Sequence, residues 1–340
     1  MRSRYALAPL AALLAQAAAA QPVQVGTPAE APATAPADDT PAPAGSDSEE
    51  FQHRVVGGRP APAGSAPWQV QIYSSHIYTQ ADTDEDRRLA ASHQLLLAQK
   101  EDWEKVHRCG GAYIGGNIVL TAAHCVAGVD GFATRRRVRL GTQNLRVPGA
   151  TFRIAEWKVH PGFVNAEPYP HDIAVLRIVA DTPEARRLDL RKHAIRMLGT
   201  RPGDLPVARG DRLRITGWGR TKARNSGQAQ LARDGTRNPM SPVLMQISQR
   251  PDPAACAALP GYADRIADKT VCAVSELAGS DSCNGDSGGP MTRAQGSERV
   301  LVGLVSWGRG CALPGMPAVY TSVPGYLDWI AGARGALGRR

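Results

Sequence analysis

Beyond residue 55 the chain turns apolar in short stretches, at 68–73, 118–122, 151–159, 173–178, 213–218, 300–306 and 319–323. These runs alternate or are continuously hydrophobic, and Gly, Pro and Asn punctuate them. That is the pattern of strands separated by turns. Their spacing is irregular. The pattern therefore predicts antiparallel barrels or sandwiches rather than alternating strand–helix units. Residues 326–336, entered after Pro324 and carrying Leu327, Trp329 and Ile330, predict a closing helix. No internal repeat is visible.

Two segments interrupt this scheme. Residues 81–107 are highly charged, with Leu89, Leu95, Leu96, Leu97 and Trp103 along them, and Thr83 followed by Asp86 resembles a capping box. A surface helix is expected there. Residues 220–242 are polar and rich in Gly and Asn, with Lys222, Arg224, Arg233 and Arg237, and read as a long mobile loop.

The N-terminal end follows different rules. Arg2 and Arg4 precede an Ala/Leu-rich run from Tyr5 to Ala20, and Ala18, Ala19 and Ala20 supply the small residues of a cleavage site. Residues 1–20 read as a signal peptide, with Gln21 the first residue after export. Residues 21–53 are dominated by Pro and Ala and contain Asp38, Asp39, Asp47, Glu49 and Glu50. Such a segment buries too little apolar surface to offset its ordering entropy, so it is read as a linker or pro-segment.

The whole chain has 340 residues, 43% hydrophobic and 21% charged. That length suits about two domains, and the composition excludes wholesale disorder. No apolar run outside the N-terminus reaches the length of a membrane span, so no stable membrane insertion is expected. The net charge is +9, and without residues 1–54 it becomes 37 basic against 25 acidic residues, or +12. Basic runs are not interleaved with aromatics, which are 5% of the chain. Nucleic acid is accordingly not expected as a partner. The Ala-rich leader and the preference for Arg over Lys suggest a GC-rich bacterial source.

Six cysteines, Cys109, Cys125, Cys256, Cys272, Cys283 and Cys311, stand in an exported chain. Their even number argues for disulfides, with fifteen connectivities open, and the absence of a C-x-x-C pair argues against zinc.

The chemistry concentrates in three places. Gly285-Asp286-Ser287-Gly288-Gly289 exposes a hydroxyl among glycines whose backbone N–H groups can converge on one spot, the requirement for acyl transfer. Alone the run also fits the nucleophile elbow of α/β-hydrolases, whose His follows the Ser. Here all eight His residues precede Ser287, so that reading fails. Upstream, Thr121-Ala122-Ala123-His124-Cys125 puts a His at the end of an apolar strand. Asp172-Ile173-Ala174-Val175-Leu176 puts an acid at the head of another. His171, beside Asp172, is read as a surface residue.

The order His, Asp, Ser, with T-A-A-H-C, D-I-A-V-L, G-D-S-G-G-P and S-W-G in sequence, resembles the trypsin-like serine proteases of the chymotrypsin fold across residues 55–340. The resemblance implies an all-β fold of two antiparallel six-stranded β-barrels. The active site lies between them and a short C-terminal helix follows. The first barrel would span about residues 68–178, the second about 205–323 and the helix about 325–336.

It also implies roles. Ser287 is the nucleophile, His124 the base and Asp172 its orienting acid, with the N–H groups of Gly285 and Ser287 as oxyanion hole. Asp281, six residues before Ser287, with Ser282 beside it, resembles the base of a pocket selecting Arg or Lys. Ser306, Trp307 and Gly308 resemble the edge that binds substrate backbone. Arg54-Val55-Val56-Gly57-Gly58 resembles an activation junction: cleavage after Arg54 frees the Val55 amine to pair with Asp286, leaving 21–54 as propeptide. Activity is then expected to fail at high pH as that amine loses its proton, and at low pH as His124 gains one.

The cysteine pairs implied are Cys109–Cys125, Cys256–Cys272 and Cys283–Cys311. One departure is Ala318, where the family generally has Gly on the pocket wall. Another is Thr142, where calcium-binding relatives carry a carboxylate. Gln143 and Asn144 do not replace it, so no metal and no cofactor are expected.

The function implied is a secreted serine endopeptidase made as a zymogen, with periplasmic transit or retention as variants of its location. Protein or peptide substrates are its partners, and a protein inhibitor would be a further one. The alternative is a catalytically silent binding protein on the same scaffold. The 81–107 insertion, bordering the leaving-group side of the cleft in relatives, reads either as an exosite or gate or as a plain surface helix.

Overall fold

In a computed structural model of the chain, the described residues are 56–93, 97–222, 238–260, 262 and 269–338. The expected signal peptide, the 21–54 leader, Arg54, Val55 and most of the 220–242 loop lie outside them. The chain divides into two units, Met1–Glu50 and Phe51–Arg340, and the described residues belong to the second.

A two-residue strand β1 (Arg59–Pro60) precedes the first barrel. That barrel comprises β2 (Gln69–Ser74), β3 (His107–Tyr113), β4 (Ile118–Thr121), β5 (Arg136–Leu140), β6 (Ala150–Val159) and β7 (Ala174–Val179). It closes in the order β2-β3-β4-β7-β6-β5, antiparallel throughout. Alternation explains the continuous apolar runs. Val119 on β4 and Ala174, Leu176 and Ile178 on β7 fill the barrel interior. Their neighbours Ile118, Leu120 and Val175 point the other way, into a layer shared with the second half of the molecule. Strands buried on both faces have no polar side to alternate with.

The second half adds β8 (Arg196–Met197), β9 (Leu213–Gly217), β10 (Met245–Pro251), β11 (Thr270–Ser275), β12 (Pro290–Gln295), β13 (Glu298–Gly308) and β14 (Ala318–Ser322). Six of these run β10-β11-β14-β13-β12-β9, and the β9–β10 pairing closes them into a second barrel. β1 is appended to β10, and β8 pairs in parallel with β13. The interior holds Leu213, Ile215, Val300, Val302 and Tyr320 among others. The C-terminal helix Leu327–Leu337 turns Ile330, Ala333 and Leu337 onto the inter-barrel layer. No helix among the described residues is long and apolar enough to cross a membrane.

Three disulfides join Cys109 to Cys125, Cys256 to Cys272 and Cys283 to Cys311. In the chain-entropy picture each such loop contributes about 3–4 kcal/mol.

The charged insertion forms a helix at Gln80–His93, but its capping box sits four residues earlier than the sequence suggested. Thr79 donates its N–H and hydroxyl to Asp82 Oδ2, at 2.6 and 2.8 Å, and Asp82 N–H returns a bond to Thr79 Oγ1 at 3.3 Å. Asp86 instead accepts from the N–H of Leu97. A second short helix, Asp102–Val106, sinks Trp103 into the inter-barrel core. The end of the insertion is therefore anchored in the fold, while residues 80–88 of its first helix stay at the surface, as expected.

Candidate active site

The two barrels meet along a cleft, and each contributes its groups by different means. β4 ends at Thr121, and the turn Ala123–Cys125 carries His124 just beyond it. Because Thr121 pairs with Ala174, the residues leading into β7 lie alongside. Asp172 is thus brought against His124 and is buried, 1% exposed. His124 donates its backbone N–H to Asp172 Oδ1 at 2.9 Å, and its Nδ1 lies 2.8 Å from Oδ2. Ser306 on β13 donates to Oδ2 at 2.6 Å, and Thr321 on β14 donates to the Asp172 carbonyl at 2.8 Å. Since a carboxylate can only accept, the hydrogen of His124 is assigned to Nδ1. Nε2 is left with a lone pair.

The second barrel contributes a loop between β11 and β12. The carboxyl of Asp286 accepts from the N–H groups of Gly219 (2.8 Å) and Cys283 (2.9 Å), and burial pushes it up to about 6. Gly217 and Gly219 make this possible, because a Cβ on either would collide with the Asp286 carboxylate. Gly285 has φ +100°, a backbone shape that favours glycine. Its carbonyl lies 2.8 Å from His107 Nε2, and His107 Nδ1 lies 3.2 Å from Gln71 Nε2. One neutral tautomer satisfies both bonds, with Nε2 donating and Nδ1 accepting. Burial holds His107 down to about 4, so it stays neutral near pH 7. The N–H groups of Gly285 and Ser287 donate to no acceptor among the described residues, so both are free to receive an anion. The Ser287 carbonyl accepts from Gly110 N–H of the first barrel at 2.8 Å.

A cavity of about 240 Å³ gathers His124, Ser287, Asp281, Ser282, Ser306, Trp307, Gly308 and Ala318 on one wall system. Asp172 stands behind His124. Ser287 and His124 share the cavity without a hydrogen bond between them among the described contacts, as is common before substrate binds. Asp281 accepts from Gln249 Nε2 and from Ala312 N–H, both at 3.1 Å, while burial pushes its carboxyl up to about 7. Its own N–H donates to the carbonyl of Val56, which is buried beside the Cys283–Cys311 bridge. Ser282 Oγ and Tyr320 Oη are 3.0 Å apart. Ala318 pairs with Gly308 across the β13–β14 ladder, so its methyl lies on the pocket wall.

Sequence reasoning missed Tyr169 and Glu167, which also line the cavity. Tyr169 stacks on the His124 ring, with centroids 5.0 Å apart and planes inclined by 26°. The only signal was its place between two prolines, three residues before Asp172. Gln71, His107 and Gln249 carried no motif at all. His171 is not the plain surface residue expected. It is half-buried, with φ +54°, stacked on His160 at 4.6 Å and with its Nδ1 3.0 Å from Tyr326 Oη. Cys109, Cys125 and His124 are close enough to hold an ion, but both sulfurs are consumed by their disulfide.

The family model for trypsin matches residues 55–330. Trypsin iota of Drosophila melanogaster is 32% identical over 290 residues, covering 85% of this chain and 91% of the relative. The proclotting enzyme of Tachypleus tridentatus is 33% identical over 293 residues, covering 82% of this chain and 65% of the relative. Trypsin delta of Drosophila melanogaster is 28% identical over 281 residues, with 83% and 88% covered. These relatives are eukaryotic, and the expectation of a bacterial source finds no support in them.

Proposed function

Because the chain belongs to the trypsin family and is a serine endopeptidase, we propose that it cuts after Arg or Lys through an acyl-enzyme formed on Ser287. In this reading His124 Nε2 takes the proton of Ser287 Oγ as the oxygen attacks the scissile carbonyl. Asp172 holds His124 in the tautomer that leaves Nε2 free and stabilises the imidazolium that follows. The oxyanion is received by the N–H groups of Gly285 and Ser287. Collapse expels the amine with the proton from His124, and water repeats the sequence to release the acid.

The observation that carries the specificity is the buried Asp281 carboxyl in the same cavity as Ser287 and His124. Burial penalises that negative charge, and a Lys or Arg side chain entering the pocket would compensate it. Ser282 forms the wall beside it, and Ser306, Trp307 and Gly308 would pair with the substrate backbone. Ala318 narrows the pocket by one methyl.

Latency follows from Asp286. Its carboxyl is buried with backbone donors alone among the described residues. Cleavage after Arg54 would supply the Val55 amine as counter-ion, and a buried charge without one costs several kcal/mol. Residues 1–20 are then a signal peptide, 21–54 the propeptide and 55–340 the peptidase domain. Three disulfides fit a secreted protein. Protein substrates follow from the family, and a protein inhibitor would occupy the same cleft.

The test uses protein cleaved after Arg54, with Ser287→Ala as control, on matched peptides bearing Arg, Lys, Phe or Ala before the scissile bond. Turnover at Arg or Lys alone, lost in the control, is expected. Turnover at Phe would discard the role of Asp281. Silence on every peptide, with Val55 confirmed as the terminus, would leave the binding-protein reading.

A further inference from the structure

A cavity of about 930 Å³ opens on the second barrel and shares no lining residue with the catalytic one. Strand alternation builds it. Leu213 and Ile215 of β9 enter the barrel core, so Arg212 and Arg214 take the outer face. The ladder sets Arg214 opposite Ser248 of β10 and Thr292 of β12. Arg59, Arg250 and Arg299 complete the lining, with Glu276 as its one acid. Five guanidinium groups against one carboxylate leave a surplus of four positive charges.

The arginines at its floor lack the partners that similar residues have elsewhere. Arg137, Arg177, Arg196 and Arg293 each reach a carboxylate. Arg214 reaches only the Ser65 carbonyl and Gln246 Oε1, and its Nε is buried with no acceptor. Arg299 donates only to the hydroxyl and carbonyl of Thr292. Burial, followed by the charge of Arg299, brings Arg214 down to about 10. Glu276 is engaged by Arg212 at 3.0 Å. Arg59 and Arg250 are exposed and form no ion pair among the described residues.

We propose that this cavity is a binding site for a sulfated polysaccharide. A guanidinium fork matches a sulfate oxyanion in two parallel hydrogen bonds. Several forks spread over one concave face suit a chain bearing sulfates at intervals better than a single ion. No aromatic side chain lines the cavity, so a nucleic acid would find phosphate contacts but no platform for its bases. Occupancy leaves the catalytic cavity open, and the bound protein keeps its activity on small substrates while being held to a sulfated matrix.

The experiment measures binding of heparin to the full chain across a range of salt. One variant is Arg59→Glu with Arg250→Glu. A charge-matched control is Arg186→Glu with Arg187→Glu, both exposed on the helix Pro183–Arg187. The cavity variant is expected to lose affinity at least about tenfold, with the salt slope falling by about one for each arginine removed. The control keeps its affinity, and hydrolysis of a short peptide after activation stays unchanged in both, which also reports intact folding. Equal loss in the two variants would reduce the effect to net charge and overturn the proposal. So would no heparin binding at physiological salt, or single-stranded DNA binding more tightly with the same dependence on Arg59 and Arg250.

Discussion

The two sides of the cleft are stabilised by different physics. His124 and Asp172 stand at the ends of β4 and β7, strands buried on both faces and paired in register, so close packing of Leu120, Val175 and Leu176 sets the backbone from which the hydrogen bonds onto Asp172 are made. Ser287, Asp286 and Asp281 stand on a loop with no ladder of its own. That loop is held by backbone donors onto one buried carboxyl, by a histidine on the Gly285 carbonyl and by a disulfide. A packed strand end resists change in volume. A hydrogen-bonded loop resists change in charge or in donor count.

The largest test of this contrast is Asp172→Asn. It preserves volume and should leave the strand-borne side folded, yet an amide in place of the carboxylate selects the wrong tautomer of His124. The chymotrypsin-type template of this triad loses about 10⁴ in kcat on the same change, and a similar loss is expected here in steady-state kinetics. A loss below about tenfold would mean that packing alone, not the acceptor, makes this side work.

Asp281→Asn probes the loop side. Removing the buried charge should lower kcat/KM for Arg and Lys peptides by about 10² to 10³, corresponding to about 3–4 kcal/mol, and leave Phe and Ala peptides unaffected. The sign of the pH effect follows from burial. Asp281 and Asp286 are raised from 3.8 to about 7 and about 6, so burial favours their protonated forms. Their contribution to stability is full below the unfolded value and is lost as pH rises through about 6 to 7. A cation binding to Asp281 must displace that proton. Affinity for benzamidine should therefore weaken about tenfold per unit below about pH 7 and level off above it, measured by calorimetry in two buffers.

The smallest expected effect is Ala318→Gly. Removing one methyl from the pocket wall should raise kcat/KM on one of the two basic residues by about 1–3 kcal/mol of transition-state binding at most. No change in the Arg/Lys ratio would show that the β13–β14 ladder already leaves room for both.

What could be read beforehand follows the same division. The strands bearing His124 and Asp172 were legible because their apolar runs are continuous. β3 and β5 were not, since Gly110 and Gly111 interrupt one, and Arg136, Arg137 and Arg139 decorate the other. The proposed catalytic trio and pocket acid came from motifs. His107, Gln71 and Gln249 had none, because they serve the loop from distant strands and only the register brings them there. The cap of the insertion helix was misplaced for a local reason: Thr79 and Thr83 are both followed at three residues by Asp, and periodicity alone does not choose between them. Trp103 hid in a charged stretch whose polar neighbours masked its burial.

The bonds that cross the barrel boundary carry a consequence for the life of the chain before it is finished. Ser306 and Thr321 of the later half secure Asp172 of the earlier half, and Gly110 of the earlier half secures Ser287 of the later. Under the roles proposed above, neither half contains the nucleophile, the base and the oriented acid together. On that proposal, a polypeptide emerging from its N-terminus, with one half shaped and the other still unmade, holds no working blade.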